Sequence, residues 1–227
     1  VGLGDVYKRQ GGLDLNITQG EMNQINKYKK DVDGVTGKNT PNVTQYGLVH
    51  LDGTQATTYA RIRKLSGDDF KRASRQRIVL QAMLEKAKKA NPATLVKICN
   101  SVVDDISTTL SLDQMVSLAK DVTKYKINST TGFPTDLTTK NMPRCGDTVI
   151  PADLVTNVKK LHEYMFDDAA YTPSQTVQAI SETIVNTTGI TADSAKINTS
   201  DYNETVGATG TDEIQKGSET TGGTNVQ

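Results

Sequence analysis

Residues 47–84 read GLVHLDGTQATTYARIRKLSGDDFKRASRQRIVLQAML, and they hold a concentration of positive charge that the rest of the chain lacks. Seven lysines and arginines fall between residues 61 and 77, against two aspartates, so this segment carries +5 while the chain as a whole is neutral. Apolar residues at helical spacing, separated by a glycine-containing break, predict helices over 54–63 and 69–90. The arginines therefore gather where the first helix ends and the second begins.

This arrangement predicts an anion site at the junction of the two helices. Arginine presents a planar fork of donors and does not lose its charge, so converging arginines suit a phosphate or a pyrophosphate. The first turn of the second helix adds backbone N–H groups that also favour an anion. Arg72, Arg75 and Gln76 share one face of that helix, and Arg77 lies off it. A solvated basic helix is the plainer alternative, but the predominance of arginine at two adjoining helix ends favours a site.

The same stretch resembles the C-terminal signature of the LytR-CpsA-Psr family, roughly G-x3-L-x-G-x-Q-A-L-x-Y-A-R-x-R, a loop, and D-F-x-R-x-x-R-Q. Thr57 stands where the family usually carries leucine. A strand headed by two glycines, at residues 11–17, precedes the signature as it does in the family. The resemblance covers residues 11–90 clearly and 91–187 more loosely. The matching positions are Gly47, Leu51, Asp52, Gly53, Gln55, Ala56, Tyr59, Ala60, Arg61, Ile62, Arg63, Gly67, Asp68, Asp69, Phe70, Arg72, Arg75, Gln76 and Arg77.

The resemblance implies a membrane-anchored enzyme on the outer face of mostly Gram-positive cells. Members of the family move a glycopolymer, such as wall teichoic acid or capsule, from a polyprenyl-pyrophosphate carrier onto peptidoglycan. The implied fold is an α/β sandwich, a mixed sheet flanked by helices, with a tunnel for the lipid tail. The expected partners are therefore the carrier-linked glycopolymer, peptidoglycan and the membrane. A missing N-terminal anchor would attach the protein to the membrane.

Carried over position by position, the resemblance also implies the residues of the site. Asp69 would orient an arginine or act as a base, and Arg72 would share the catalytic role; a simple helix cap is the other interpretation of Asp69. Arg75 matches the signature, but the sequence leaves the direction of its side chain open. The expected pyrophosphate-binding set is Arg61, Arg63, Arg72, Arg75 and Gln76.

Two further features of the family are a metal ion and the lipid tunnel. Mg²⁺ would bridge the pyrophosphate, but the aspartates that hold it precede the position of Gly11, so we expect Mg²⁺ only in a longer parent protein. Asp14 does not match those positions. The tunnel-wall candidates on the second helix are equally suitable as plain core residues, which is the favoured interpretation. These candidates are Ile78, Val79, Ala82 and Met83.

The two ends of the chain differ in character from its middle. Residues 1–10 read VGLGDVYKRQ and resemble translated sequencing-adapter read-through, so we expect a non-native leader and a missing N-terminal half. Residues 188–227 are rich in Thr, Gly, Asn and acidic side chains with almost nothing to bury, which predicts a disordered tail. Residues 11–187 would then be a partial catalytic domain, which we expect to be inactive alone.

Local patterns predict the remaining elements. Thr18, followed three residues later by Glu21, forms a predicted capping box for a helix over 18–31. Strands are predicted at 11–17, 43–51, 127–135 and 147–150, and further helices at 93–106, 111–125, 152–166 and 173–185.

Other candidate chemistry is sparse. Cys99 and Cys145 lie far apart in the sequence, and a disulfide between them is as acceptable as two free buried thiols. His50 lies at the strand predicted over 43–51, next to a turn, and is interpreted as structural rather than as a base. The chain contains no GxxxxGK[ST], GxSxG or HExxH motif.

Two other functions remain as alternatives. A non-catalytic cell-wall interaction domain is supported only by the Thr- and Asn-rich tail. A nucleic-acid-binding regulator would use the arginines on phosphates, but a neutral chain lacks a broad basic face, and few aromatic residues accompany the arginines. The transferase interpretation is therefore preferred, and nucleic acid is not an expected partner.

Overall fold

The computed structural model describes residues 11–63, 68–102 and 107–202, apart from the side chains of residues 68, 69, 98, 99, 101 and 102. The predicted leader over residues 1–10 lies outside this range. Within it the chain forms five strands and seven helices, which confirms the α/β class. The strands lie in two small antiparallel sheets rather than in one mixed sheet.

The N-terminal half is a two-stranded sheet covered by three helices. The strands are β1 (Leu13–Ile17) and β2 (Gly47–Leu51), which pair with Leu13 opposite Leu51. The helices are α1 (Gln19–Thr36), α2 (Gly53–Arg61) and α3 (Asp68–Lys89).

Side-chain caps fix where α1 and α2 begin. The predicted capping box of α1 is confirmed: the Glu21 N–H donates to the Thr18 hydroxyl oxygen, and the Thr18 N–H donates to the Glu21 carboxylate. A second box starts α2, where Asp52 and Gln55 exchange the same pair of bonds. These bonds satisfy N–H groups that the first turn of a helix leaves without an intrahelical partner.

The core of this half follows from the alternation of β1. Leu13, Leu15 and Ile17 point inward and are at most 2% exposed, while Asp14 between them is exposed. Each such apolar side chain stabilises the fold by about 1.5–3 kcal/mol relative to an exposed position. The helices complete this core with Ile25, Ala56, Tyr59, Ile62, Ile78, Val79 and Ala82.

Polar side chains of α1 and α2 hold the loop that leads into β2. Asn26 forms a two-bond pair with the backbone N–H and carbonyl of Val43, both at 2.8 Å. Lys29 donates to the Thr40 carbonyl, and Asp33 accepts from both the N–H and the hydroxyl of Thr40. Because these partners are buried or partly buried, the loop has a defined course although it lacks regular structure.

The C-terminal half contains the second sheet and the remaining helices. Its strands run in the order β4-β3-β5, all antiparallel. They are β3 (Asp136–Met142), β4 (Gly146–Pro151) and β5 (Ile197–Asn198). The helices are α4 (Pro92–Val102), α5 (Leu112–Lys120), α6 (Leu154–Phe166) and α7 (Gln175–Thr188).

A single buried amide joins this sheet to α6. Asn157 is fully buried, and its side-chain oxygen accepts from the Asp136 N–H at 2.9 Å. Its amide group donates to the carbonyls of Asp136, Ala152 and Asp153. The start of β3, the end of β4 and the first turn of α6 are therefore fixed by one side chain.

Two sequence predictions in this half are wrong. The strand predicted over 127–135 lies instead at Asp136–Met142, after Pro134, which has no N–H to give to a sheet. The disordered tail does not begin at residue 188, because residues 192–202 form short 3₁₀ turns and β5. Asn198 donates to the Asp136 carboxylate, and Thr199 is buried with its hydroxyl bonded to the Gly132 carbonyl. Residues 203–227 lie outside the described range.

The 3₁₀ turn at Thr199–Tyr202 contacts α3. The rings of Phe70 and Tyr202 are 5.7 Å apart, and Arg77 donates to the Tyr202 carbonyl at 3.1 Å. Arg77 thus binds the protein itself, on the side of α3 away from the predicted site face. None of the helices in the described ranges has the length and apolar character needed to cross a membrane.

Replacing the buried amide tests whether it joins the three elements. We expect Asn157→Ala to lower the free energy of unfolding by about 2–4 kcal/mol, because the backbone groups of Asp136 lose their partner in a buried place. Denaturant unfolding followed by circular dichroism measures this change. Asn186→Ala, at an exposed position of α7, is the matched control. Equal stability of the two variants would contradict the role of Asn157.

The cap of α6 should make stability depend on acidity. Burial raises the pKa of Asp153, but hydrogen bonds from Thr156 and Ser181 outweigh it and bring this pKa below its usual range. The carboxylate therefore stabilises the fold above about pH 4, the usual pKa of an unfolded aspartate, and this contribution is lost as the pH falls through the lowered value. We expect Asp153→Asn to lose less stability than the parent between about pH 5 and pH 3. Unfolding curves recorded across this pH range measure the stability, with the exposed Asp147→Asn as control. If the stability of the parent and of Asp153→Asn depended equally on pH, the prediction would be contradicted.

Candidate functional site

The end of α2 presents two arginines on either side of a buried anchor. Ile62 follows the helix and is fully buried, whereas Arg61 and Arg63 are exposed. The fold thus buries the residue between the two arginines and leaves both arginines at the surface.

These arginines line a pocket between α1 and α2, which we call the arginine pocket. Its volume is about 210 Å³. Thr58 lies on the same helix as Arg61, and the opposite wall comes from α1. The described residues that line it are Tyr28, Asp31, Val32, Thr58, Arg61 and Arg63.

The described lining carries two positive charges and one negative charge, so an anion is favoured. Two guanidinium groups at one pocket can grip phosphate oxygens in pairs. The predicted anion site at the end of α2 therefore has a pocket of suitable charge. Sequence reasoning missed Tyr28 and Asp31, because no motif marks them and only the packing of α1 against α2 brings them there.

The direction of the Arg75 side chain, which the sequence left open, is visible in the structure. Its side chain is 4% exposed, and its Nε–H donates to the Glu21 carboxylate at 2.7 Å. A longer contact of 3.5 Å joins Arg75 Nη1 to the Ile62 carbonyl. Arg75 therefore joins α3 to the start of α1 and to the junction after α2. Its assignment to the pyrophosphate-binding set is not supported by this position.

The other residues of the predicted set are on α3 or at its start. Arg72 is half-buried and Gln76 is exposed. Neither lines the arginine pocket among the described residues. The side chain of Asp69 lies outside the described part of the structure, so its predicted role as base or orienting group stays a prediction. The structure thus brings Arg61 and Arg63 together and leaves the grouping of Arg72, Gln76 and Asp69 with them as a prediction.

The candidates for a lipid tunnel lie in the hydrophobic core. Ile78, Val79 and Ala82 are at most 7% exposed and belong to the cluster around β1, against which Met83 packs. This burial agrees with the interpretation of the four residues as plain core, which the sequence favoured. A role in a lipid tunnel has no support from their packing.

The histidine and cysteine candidates are accounted for outside the pocket. His50 pairs with Asp14 across the β1–β2 ladder, with Nδ1 and Oδ1 2.7 Å apart and both side chains exposed. Cys145 is a free thiol and is exposed rather than buried. The side chain of Cys99 lies outside the described residues, so a pairing of the two cysteines gains no support.

The residues in the described part of the chain do not fit the metal ion that the family resemblance implies. No group of three or more His, Cys, Asp or Glu side chains there is arranged to hold a metal ion. Hard cations such as Mg²⁺ need oxygen ligands of this kind. The expectation of Mg²⁺ in a longer parent stays a prediction, and no step of the chemistry below passes through it.

Comparisons with known proteins give a consistent result. The model of the LytR_cpsA_psr family matches residues 2–159. The chain is 30% identical over 141 residues to the polyisoprenyl-teichoic acid–peptidoglycan teichoic acid transferase TagU of Bacillus mycoides strain KBAB4, covering 52% of this chain and 46% of that protein. It is 27% identical over 179 residues to TagV of Bacillus subtilis strain 168, a transferase of the same description, covering 76% and 42%. The chain thus spans less than half the length of each relative.

One solved structure supports the fold. The crystal structure of protein gbs0355 from Streptococcus agalactiae aligns with a TM-score of 0.53 at 18% identity, covering 76% of this chain and 56% of that one. The family match begins at residue 2, within the stretch for which a non-native leader is predicted, and the leader stays a prediction.

The buried ion pair gives a test that separates the two kinds of arginine. We expect Arg75→Met to lower the free energy of unfolding by about 3–5 kcal/mol, because it leaves the Glu21 carboxylate buried without its partner. Arg61→Met, at an exposed position, should change it by about 0.5 kcal/mol or less. The double variant Glu21→Met/Arg75→Met should lose less than the sum of the single changes. Additive losses in denaturant unfolding would contradict the pairing.

Proposed function

Because the chain belongs to the LytR-CpsA-Psr family, we propose that it takes part in the transfer of a glycopolymer from a polyprenyl-pyrophosphate carrier to peptidoglycan. The arginine pocket at the end of α2 is the observation that carries this proposal. The names of the TagU and TagV relatives support teichoic acid as the polymer class and peptidoglycan as the acceptor. Capsule polymer is the other class that the family resemblance implies.

The proposed reaction breaks a phosphoanhydride bond. A hydroxyl group of the acceptor bonds to the phosphorus atom that carries the polymer. The bond from this phosphorus to the bridging oxygen breaks, and the carrier leaves as its monophosphate. The proton of the hydroxyl passes to a base, the role that we propose for Asp69.

Negative charge grows on the bridging oxygen during this step. Cationic donors that are in place before the reaction stabilise such a transition state, because they need not reorganise. Arg61 and Arg63 are proposed as two such donors, because both line the pocket and the backbone between them is fixed by the burial of Ile62. Arg72 is proposed as a third cationic donor from the first turns of α3.

The proposal includes a cellular location. A lipid-linked donor and peptidoglycan meet at the outer face of the cell membrane, and we propose that the protein acts there. The membrane anchor that the family resemblance implies would belong to a longer parent, and complete transfer is proposed for that parent.

Binding of a lipid pyrophosphate tests the site directly. We expect Arg61→Ala and Arg72→Ala each to weaken binding of farnesyl pyrophosphate to the 227-residue chain about 10- to 100-fold, because each removes hydrogen bonds to a charged group. Isothermal titration calorimetry measures the affinity. The control is Lys89→Ala, which removes a positive charge at the far end of α3.

The outcome also separates the proposal from the nucleic-acid alternative. Unchanged affinity in folded Arg61→Ala and Arg72→Ala variants would contradict the assignment of the site. A nucleic-acid binder would instead bind duplex DNA, with an affinity that falls steeply between about 50 and 200 mM salt.

A further inference from the structure

The strongest feature that the proposed chemistry leaves unused is the hydroxyl group of Tyr28. Tyr28 lies on α1 and its side chain is half-buried, but its hydroxyl oxygen is buried and has no hydrogen-bond partner. An unpaired buried hydroxyl is destabilising and uncommon in folded proteins. A bound ligand is one cause that leaves such a group without a partner in the empty protein.

The position of Tyr28 indicates what that ligand is. Tyr28 lines the arginine pocket, opposite the end of α2 that carries Arg61 and Arg63. Lys27 precedes it on α1, with its Nζ 5.9 Å from the centre of the Tyr28 ring. A phenolic O–H is a neutral donor, and an oxygen of a phosphate group accepts from several donors at once.

The other hydroxyl group of the pocket lining is already committed. Thr58 donates its hydroxyl proton to the Thr54 carbonyl at 2.7 Å, as part of the helix. Asp31 and Val32 offer no donor from their ionised or apolar side chains. Among the described lining residues, Tyr28 therefore provides the neutral donor that complements the two guanidinium groups.

We propose that Tyr28 is a ligand-binding residue of the arginine pocket, whose hydroxyl group donates to a non-bridging oxygen of a bound pyrophosphate. The hydroxyl oxygen is buried in the empty protein, so it becomes paired only when the pocket lining rearranges around the bound anion. This inference rests on the proposed function, because it assigns Tyr28 to the same anion.

The test uses Tyr28→Phe, which removes the hydroxyl oxygen and keeps the ring. We expect two effects of opposite sign. The stability of the empty protein stays the same or rises, because a buried unpaired group is removed. The affinity for pyrophosphate falls about 10- to 100-fold, because a hydrogen bond to a charged group is lost. A purely structural hydroxyl would give the reverse, a less stable protein with unchanged affinity.

Two probes and two control variants complete the experiment. Inorganic pyrophosphate and farnesyl pyrophosphate are titrated into the 227-residue chain by calorimetry, and thermal unfolding is followed with and without each probe. A loss for both probes places the Tyr28 contact on the shared pyrophosphate group, whereas a loss for farnesyl pyrophosphate alone overturns that contact. Tyr46→Phe, at an exposed tyrosine outside the pocket, is the matched control. Arg61→Ala reports on the pocket itself.

The outcomes distinguish this inference from the proposed function. If Arg61→Ala weakens binding and Tyr28→Phe binds within twofold of the parent, the role of Tyr28 is overturned and the proposed function stands. If the parent binds neither probe, or Arg61→Ala binds as the parent does, both are overturned. If Tyr28→Phe and Arg61→Ala both lose affinity while Tyr46→Phe does not, the role of Tyr28 is supported.

Discussion

The N-terminal half of the structure depends on the two oxygens of one buried carboxylate. One oxygen of Glu21 accepts from the Thr18 N–H and closes the cap of α1, and the other accepts from Arg75 of α3. Arg75 also contacts the carbonyl of Ile62, which follows the end of α2 beside the arginine pocket. Two charges buried together are stable only when their remaining hydrogen-bonding groups are also satisfied, and the cap meets part of that condition. The start of one helix, the middle of another and the end of a third are thus mutually dependent.

Helix α1 also holds the segments that lie beside it in place. Its polar residues Asn26, Lys29 and Asp33 bind the backbone or hydroxyl groups of the loop over residues 40–43. Its remaining surface supplies one wall of the arginine pocket. A single helix therefore holds the approach to β2 on one side and faces the candidate ligand on another. This division explains how an 18-residue helix with few apolar residues remains firmly packed.

The sequence predicted local features better than the partners of individual side chains. The cap at Thr18 was predicted correctly, because a capping box is a short-range pattern between residues three apart. The burial of Arg75 was not, because its partner Glu21 is 54 residues away and only tertiary packing brings them together. The same limit applies to Tyr28, which no motif connects with Arg61. The strand predicted at 127–135 was wrong because Ile and Thr favour a strand there, whereas Gly132 and Pro134 interrupt it. Hydrogen bonding to Asn157 fixes where β3 starts.

The burial of Ile62 between two exposed arginines also affects the stability of the native state. By fixing the backbone between Arg61 and Arg63, the fold keeps two like charges close together whether or not a ligand is present. An anion that binds at this pocket therefore binds the native state, in which both arginines lie at the same place. Such binding stabilises the native state, while the unfolded chain, which has no pocket, gains little from the same anion. The conformational stability of the chain is therefore coupled to the anions in its surroundings, and it rises when an anion occupies the pocket.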